Sequence, residues 1–389
     1  MTPRSFTVPL HPEVLAWTRE ALNIGVVDAA EAAGVEVDEY LEWESGSSSP
    51  CMTQVRKLAP ALKCTVATLL LPEPPPVARR PRDYRTLPTR TGHPLSTSTL
   101  LAIRRARQVA DLAIELQTWM GLASPFSLPS IGLQQNPELA AEALRASLGF
   151  ALAEQMAPRT KHKAYQLWRL RVEDRGIYVL EGNFPAAECR GFSIYDPAAP
   201  VIAVTNEDFA APRTFSLLHE LTHLALRVSG LCEIDAPWEA TPLGVEVFCN
   251  RVAGAILVPL DSLLGLDQVK ANAGSDWSDA LLEEIARFYH VSKEVVLRRL
   301  LIAGRTDKAT YERKRTEWLT IHEDMSTFMP HVTQSRQAFN RNGVRFSELV
   351  VSATHAGILT SFEAAGFLST KPKHLASIEH MVAERRSAR

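Results

Sequence analysis

Apolar residues along this chain recur mostly at three- and four-residue intervals, the spacing that predicts helices. Five short helical stretches come first, at residues 12–22, 26–33, 37–43, 55–62 and 66–70, with Gly34 as a turn between the second and third. A longer one covers 98–121, carried by Leu101, Val109, Leu112, Ile114, Leu116 and Met120. Asn136 caps the next, whose first residue is Pro137 and which runs to Leu148. Residues 165–172 follow, with Trp168 turned inward. The period then changes to that of strands at 176–180, 191–195 and, after an Asp196-Pro197 turn, 201–204. Turns of this length predict a small antiparallel sheet. Helical spacing returns at 215–226 and 244–259, then at 277–289 with Ala280, Leu281, Ile285 and Phe288 inward. Helices at 293–302, 311–320, 346–355, 361–367 and 373–386 complete the chain. The expected class is α+β, mostly helical.

Composition adds bounds. The 389 residues are 46% apolar and 22% charged with a net charge of −2, ordinary for a globular protein with two or three domains and unlike a chain basic throughout. No apolar run reaches the ~18 residues of a membrane span, and residues 1–6 hold no signal-peptide core, so no membrane partner is expected. Five scattered cysteines without a C-x-x-C pair suggest reduced thiols and a cytoplasmic address. The pattern divides into a helical domain at 1–72, a Pro/Arg-rich linker at 73–97, a core region at 98–268 centred on 165–265, and a helical region at 269–389.

The helix, glycine turn, helix order near the N-terminus is that of a helix-turn-helix. Tyr40-Leu41-Glu42-Trp43-Glu44-Ser45-Gly46, followed by Pro50 and Leu58-Ala59, resembles the Cro/C1-type (Xre) repressors, which often end their third helix in W-E-x-G. The resemblance implies DNA binding, but charge opposes it. Residues 1–75 hold five basic side chains against ten acidic ones, and the would-be reading helix carries Asp38, Glu39, Glu42 and Glu44. Phosphate contact supplies most affinity for duplex DNA, so this surface favours a protein partner and at most weak DNA binding. The eight arginines between 79 and 107, against Asp83 alone, are the best candidates for phosphate contact. Arg79, Arg80, Arg82 and Arg85 lead that run, and a tie to the acidic first domain explains it equally well.

The strongest chemistry lies in His219-Glu220-Leu221-Thr222-His223. On a helix the two histidines share a face and can hold one zinc ion, and Glu220 lies beside them to take a proton from bound water. Two histidines leave a tetrahedral zinc one protein ligand short. Glu246, on the helix that ends at Pro259, is the preferred third ligand because a helix holds a ligand more rigidly than a loop. Glu233, Asp235 and Glu239 are rivals from the intervening loop. Ala253, Gly254 and Ala255 would let that helix approach the histidine helix closely. Tyr178, Tyr195, Arg213 and Asn250 are candidates to stabilise an oxyanion, Asn250 being better placed to orient a ligand.

Gly176-Ile177-Tyr178-Val179, Gly191-Phe192-Ser193-Ile194, Arg213 through His223, and Glu246 through Pro259 together resemble the ImmA/IrrE zinc metallopeptidases. The resemblance covers about 100 residues, from 165 to 265. It implies a zincin-like core, with the sheet packed on the H-E-x-x-H helix and helical domains on either side. It also implies Zn²⁺ on His219, His223 and Glu246, with Glu220 as the catalytic base. Family members cleave repressors and so switch on genes under stress or in mobile elements, so the implied substrate is a helix-turn-helix regulator or a genetically linked protein. A peptidase behind an Xre-like domain is a common layout there. The competing reading is a non-proteolytic regulator or antitoxin-like binding protein that uses the fold as a sensor. Retention of all four site residues favours the enzyme. The helices beyond 269 suit partner or signal recognition, and the oligomeric state is open.

Overall fold

The three strands form one sheet, but not the antiparallel one their short turns suggest. The structure is a computed structural model that describes residues 7–75, 95–123, 126–227, 242–272, 274–322 and 332–387. Strands β1 (Tyr178–Gly182) and β3 (Val201–Thr205) lie parallel, and β2 (Gly191–Ile194) runs antiparallel to β3, in the order β1-β3-β2. The cause is the connection at 183–190. It is too long to force its flanking strands into a hairpin, and it is pinned so that β2 lands beyond β3. Phe184 is buried there with its ring 5.9 Å from Phe192, and its carbonyl accepts from Thr205 Oγ1 at 2.6 Å. The central strand β3 is buried along its whole length, which suits its Val-Ile-Ala-Val sequence.

The described residues fall into two units, one of residues 7–75 and 95–103, the other from Arg104 onward. The first packs α1 (Pro12–Glu20), α2 (Val26–Ala33), α3 (Val37–Ser45), α4 (Met52–Ala61) and α5 (Val66–Leu69) around Leu15, Tyr40, Trp43, Val55 and Leu58. Gly34 ends α2 at φ 77°, the left-handed conformation that a tight turn between two helices needs. The W-E-x-G segment has separate physical jobs: Trp43 is core, Glu44 makes a double hydrogen bond with Arg19 at 2.7 and 2.9 Å, and Gly46 caps α3 at φ 78°. Glu44 is therefore tied to α1 and does not stand on the exposed face with Asp38, Glu39 and Glu42, as its sequence position suggested.

Helix α6 (Thr97–Trp119) is divided between the units at Ile103. In the second unit α7 (Pro137–Leu148), a short α8 (Leu152–Met156) and α9 (Lys161–Glu173) precede the sheet, and α10 (Ala210–Ala225) and α11 (Pro242–Leu257) follow it. After α12 (Leu260–Gly265) and α13 (Asp267–Ala271) come α14 (Asp279–Tyr289) and α15 (Lys293–Ile302). One core joins Trp168, Val179, Ile202, Leu217, Leu221, Val252, Ile285, Tyr289, Val296 and Leu300, so no break in packing marks the expected boundary at 268. Buried Arg299 reinforces the joint: it donates to Val258 O at 2.8 Å and to both Glu138 oxygens at 2.6 Å. Gly254 lies against the Arg299 side chain, so this member of the small run gives room to α15 and not to the histidine helix as expected.

The inward face of α14 is also corrected. Leu282, Ile285, Ala286 and Tyr289 are buried, whereas Ala280 is exposed and Phe288 is 43% exposed. The chain then continues through α16 (Lys308–His322), α17 (Gln334–His355), α18 (Ser361–Phe367), a 3₁₀ turn at Pro372–His374 and α19 (Leu375–Ser387). Helix α17 starts well before residue 346, at a Thr333 cap, and Gly343, at φ 77° and ψ 170°, breaks it into two segments across a kink. Its second segment lies on β1, with the Phe346 and Tyr178 rings 6.2 Å apart. The outward carbonyl of Val179 accepts from Arg169 Nη2, which covers an otherwise open sheet edge. Of the expected features, Arg79, Arg80, Arg82 and Arg85 and the rival ligands Glu233, Asp235 and Glu239 lie outside the described residues.

Candidate metal centre

Helix α10 is buried almost all round from Ser216 to Ala225, which is unusual for a stretch carrying Ser, His, Glu, Thr and His. The apolar residues between them, Leu217, Leu218, Leu221 and Leu224, anchor the helix in the core. That packing leaves the two histidines and the glutamate aimed at two neighbours, while Thr222 donates to Leu218 O of its own helix. One is α11, reached by His219 and His223. The other is the edge strand β2, reached by Glu220.

On the α11 side three donors converge. His219 Nε2 lies 3.1 Å from Glu246 Oε2, His223 Nε2 lies 3.1 Å from Glu246 Oε1, and the two Nε2 atoms are 3.1 Å apart. His219 is 0%, His223 4% and Glu246 7% exposed. Among the described residues this is the one group of three such donors close enough to hold a metal ion. The spacing fits an ion: with ligands at about 2.0–2.1 Å, neighbouring ligand atoms in a tetrahedral site lie roughly 3.3–3.4 Å apart. The tautomer fits too. His219 Nδ1 donates to Asn250 Oδ1 at 3.1 Å, and since an amide oxygen can only accept, the proton belongs on Nδ1 and the Nε2 lone pair faces the cluster.

Electrostatics favour positive charge at this point. Burial would raise the Glu246 carboxyl, but His219 and His223, when protonated, outweigh it by hydrogen bonding and charge and hold the group down at about 2. Burial would lower His223, yet the neighbouring Cys249, Glu246 and Glu220 raise it well above its ordinary value. Cys249 is itself a buried thiol beside His223, and burial pushes its own ionisation up. Consecutive residues of α11, Cys249 and Asn250, thus back one histidine each.

On the β2 side Glu220 Oε2 accepts from Ser193 Oγ at 3.0 Å, both groups being buried. Gly191, two residues earlier on the same face, leaves the space the glutamate occupies. A Cβ there would stand 3.2 Å from Glu220 Cγ and 3.1 Å from Ala203 O. The sequence reading did not single out Ser193 or Gly191 as site residues. The alternation along β2, which puts 191 and 193 on one face, was the available signal, but which face meets α10 could not be read from it.

Of the four oxyanion candidates, Asn250 reaches the ligand cluster. The contacts of the other three lead elsewhere. Tyr178 Oη accepts from Gln117 Nε2 at 2.6 Å on the β1 edge. Tyr195 meets Phe126 edge to face at 6.2 Å and lies under the Arg227 guanidinium at 5.5 Å. Arg213 donates to the carbonyls of Asn206 and Asp208 at 2.8 Å and pairs with Glu181 at 3.6 Å.

Residues 172–301 match the family model described as Peptidase_M78, the IrrE N-terminal-like domain. The matched segment holds all three strands, α10, α11 and every residue of the cluster. It supports a relation to the ImmA/IrrE family and, through it, a metal-dependent peptidase type of function for this part of the chain. No curated protein matches the chain. No described helix is long and apolar enough to cross a membrane.

Proposed function

We propose that the chain is a zinc-dependent endopeptidase that cuts a regulatory protein, with a helix-turn-helix regulator or a genetically linked partner as substrate. The observation that carries this reading is the buried triangle of His219, His223 and Glu246 at 3.1 Å with the Glu220 carboxylate on the next residue of the same helix. When bound there, zinc supplies Lewis acidity, lowering the pKa of water toward about 7 and polarising a carbonyl. His219, His223 and Glu246 would hold it, and Asn250 would keep His219 in the tautomer that binds. Glu220 accepts the proton of the attacking water and returns one to the departing amine. Ser193 donates to one oxygen of that carboxylate and so holds it in place, leaving the other oxygen to take the proton. An extended substrate segment adds to the outer edge of β2, because the opposite sheet edge is covered by Arg169 and α17.

The first unit supports recognition of a protein more than of duplex DNA. Asp28, Glu31, Glu36, Asp38, Glu39 and Glu42 are exposed on or beside α2 and α3, where an Xre-like module would face phosphates. Wild-type and Glu220→Gln strains compared by mass spectrometry of protein termini, before and after DNA damage or phage challenge, test the enzyme reading. One or a few new termini should occur in wild type and vanish with Glu220→Gln, while the variant keeps its metal. Identical termini under every condition would replace this reading with that of a binding protein.

A further inference from the structure

We propose that Glu173 is a latch that holds the C-terminal helices on the catalytic unit and releases them as its carboxyl ionises. The geometry starts at Gly343. This residue places the break of α17 directly against the end of α9 and the edge of β1. A Cβ at Gly343 would overlap Glu173 Oε1 and stand 2.6 Å from Val179 O and 2.9 Å from Arg169 Nη2. The contact is thus main chain on carboxylate, with no side chain between.

Glu173 is completely buried in that contact. Its Oε1 accepts from the Arg345 backbone N–H at 3.3 Å. Its Oε2 is buried without a hydrogen-bond partner. A carboxylate oxygen in that position is costly when charged, whereas a protonated carboxyl is not. A small cavity opens beside it, lined by Glu173, Arg169, Phe339, Asn340, Val344 and Arg385.

The surroundings do not neutralise the glutamate. Arg169, on α9, is already engaged: its Nη1 donates to Glu181 on β1 at 2.8 Å and to Asn340 O at 2.7 Å, and its Nη2 to Val179 O. Glu181 faces the same knot and is shared with Arg213 and Tyr165. From α17, Arg345 lies with its guanidinium 5.1 Å from the Tyr178 ring centre. From α19, Arg385 reaches Gln166 Oε1 at 3.4 Å, and His162 stands with it at the cavity wall. Burial raises the Glu173 carboxyl to about 7 from 4.5, and the attraction of Arg169 and the backbone hydrogen bonds only partly oppose it.

The direction of the pH effect follows. The docked form holds its proton to a higher pH than the released, hydrated form does. Docking is therefore strongest below about 4.5, weakens by up to tenfold per pH unit between there and about 7, and is constant above. His162 cannot mimic this. Burial lowers its pKa, so its titration would favour docking at high pH, the opposite sign. Release of α17 would take Phe346 off Tyr178 and so uncover part of β1.

Hydrogen exchange of the α17 amides in the full chain tests the latch at pH 5.5 and 7.5, corrected for intrinsic exchange, with α7 and α11 amides as reference. Opening of residues 339–351 should rise roughly twentyfold between the two values in wild type. Glu173→Gln keeps both acceptor geometry and neutrality, and should hold α17 closed equally at both. His162→Gln should leave the slope unchanged, and Gly343→Ala should raise opening at both. A wild-type ratio within twofold of one overturns the proposal without need of any variant, and so does a slope that survives in Glu173→Gln. None of these readings depends on metal or on peptide cleavage.

Discussion

Two helix pairs in this protein handle charge in opposite ways. Along α10 and α11, two imidazoles and two carboxylates are buried together, each within hydrogen-bond reach of another polar group. Along α2 and α3, Asp28, Glu31, Asp38, Glu39 and Glu42 are all exposed, and the one acidic side chain drawn inward, Glu44, is matched by the fork of Arg19. Burying charge costs several kcal/mol unless it is met in place. In the first cluster the paired charges, or a cation on the converging donors, would offset that cost. Exposed acids cost nothing to keep. They inform on partners through their field alone, and the field here repels phosphate.

The largest effects are expected at the buried pair. His219→Ala or Glu246→Ala should each lower the metal affinity of the purified protein by well over a hundredfold, measured by competition with a chromogenic chelator. Glu220→Gln should leave it within a few-fold, since Glu220 is not one of the three converging donors. Equal metal content in all three variants would mean the cluster is a hydrogen-bonded core and not a ligand set. A smaller effect is expected one layer out. Asn250→Ala removes the acceptor that fixes the His219 tautomer and should cost about ten- to a hundredfold in affinity. No change would show that packing alone orients the ring.

The smallest effect belongs to the exposed pair. The full chain should bind duplex DNA weakly, with affinity falling steeply as salt rises. Glu39→Gln with Glu42→Gln should change thermal stability by no more than about 0.5 kcal/mol while strengthening DNA binding a few-fold. Tight, sequence-selective binding by the unaltered chain would show that its charge does not govern that surface.

How much of this was legible beforehand varied with the range of the interactions involved. Helix α7 with its Asn136 cap, α2 with its glycine end and α18 begin and end where the residue pattern places them, because caps, proline and glycine act within one turn. Asn250 stood out as a supporter of a ligand because four-residue spacing puts it on the Glu246 face of α11. The order of the sheet did not follow from the strands, since the Phe184–Thr205 lock that carries β2 past β3 joins residues distant in sequence. Tyr178 and Arg213 looked as suitable as Asn250 from their chemistry. Their partners, Gln117 and Glu181, are set by packing.

That His219 and His223 come together is already in the sequence, for they are one helical turn apart and any helix there turns them to one side. The sequence by itself also determined the acidity of the first unit, which is a property of composition. Only the tertiary structure decided that Glu246 is the donor beside them among the described residues. The same holds for Ser193 and Gly191, which shape the seat of Glu220, and for the placement of Glu173 under Gly343. Each of these depends on where separate elements meet. Such meetings are fixed by the packing of the shared core, to which residues from 128 to 318 contribute at once, and no local window of the chain contains that information.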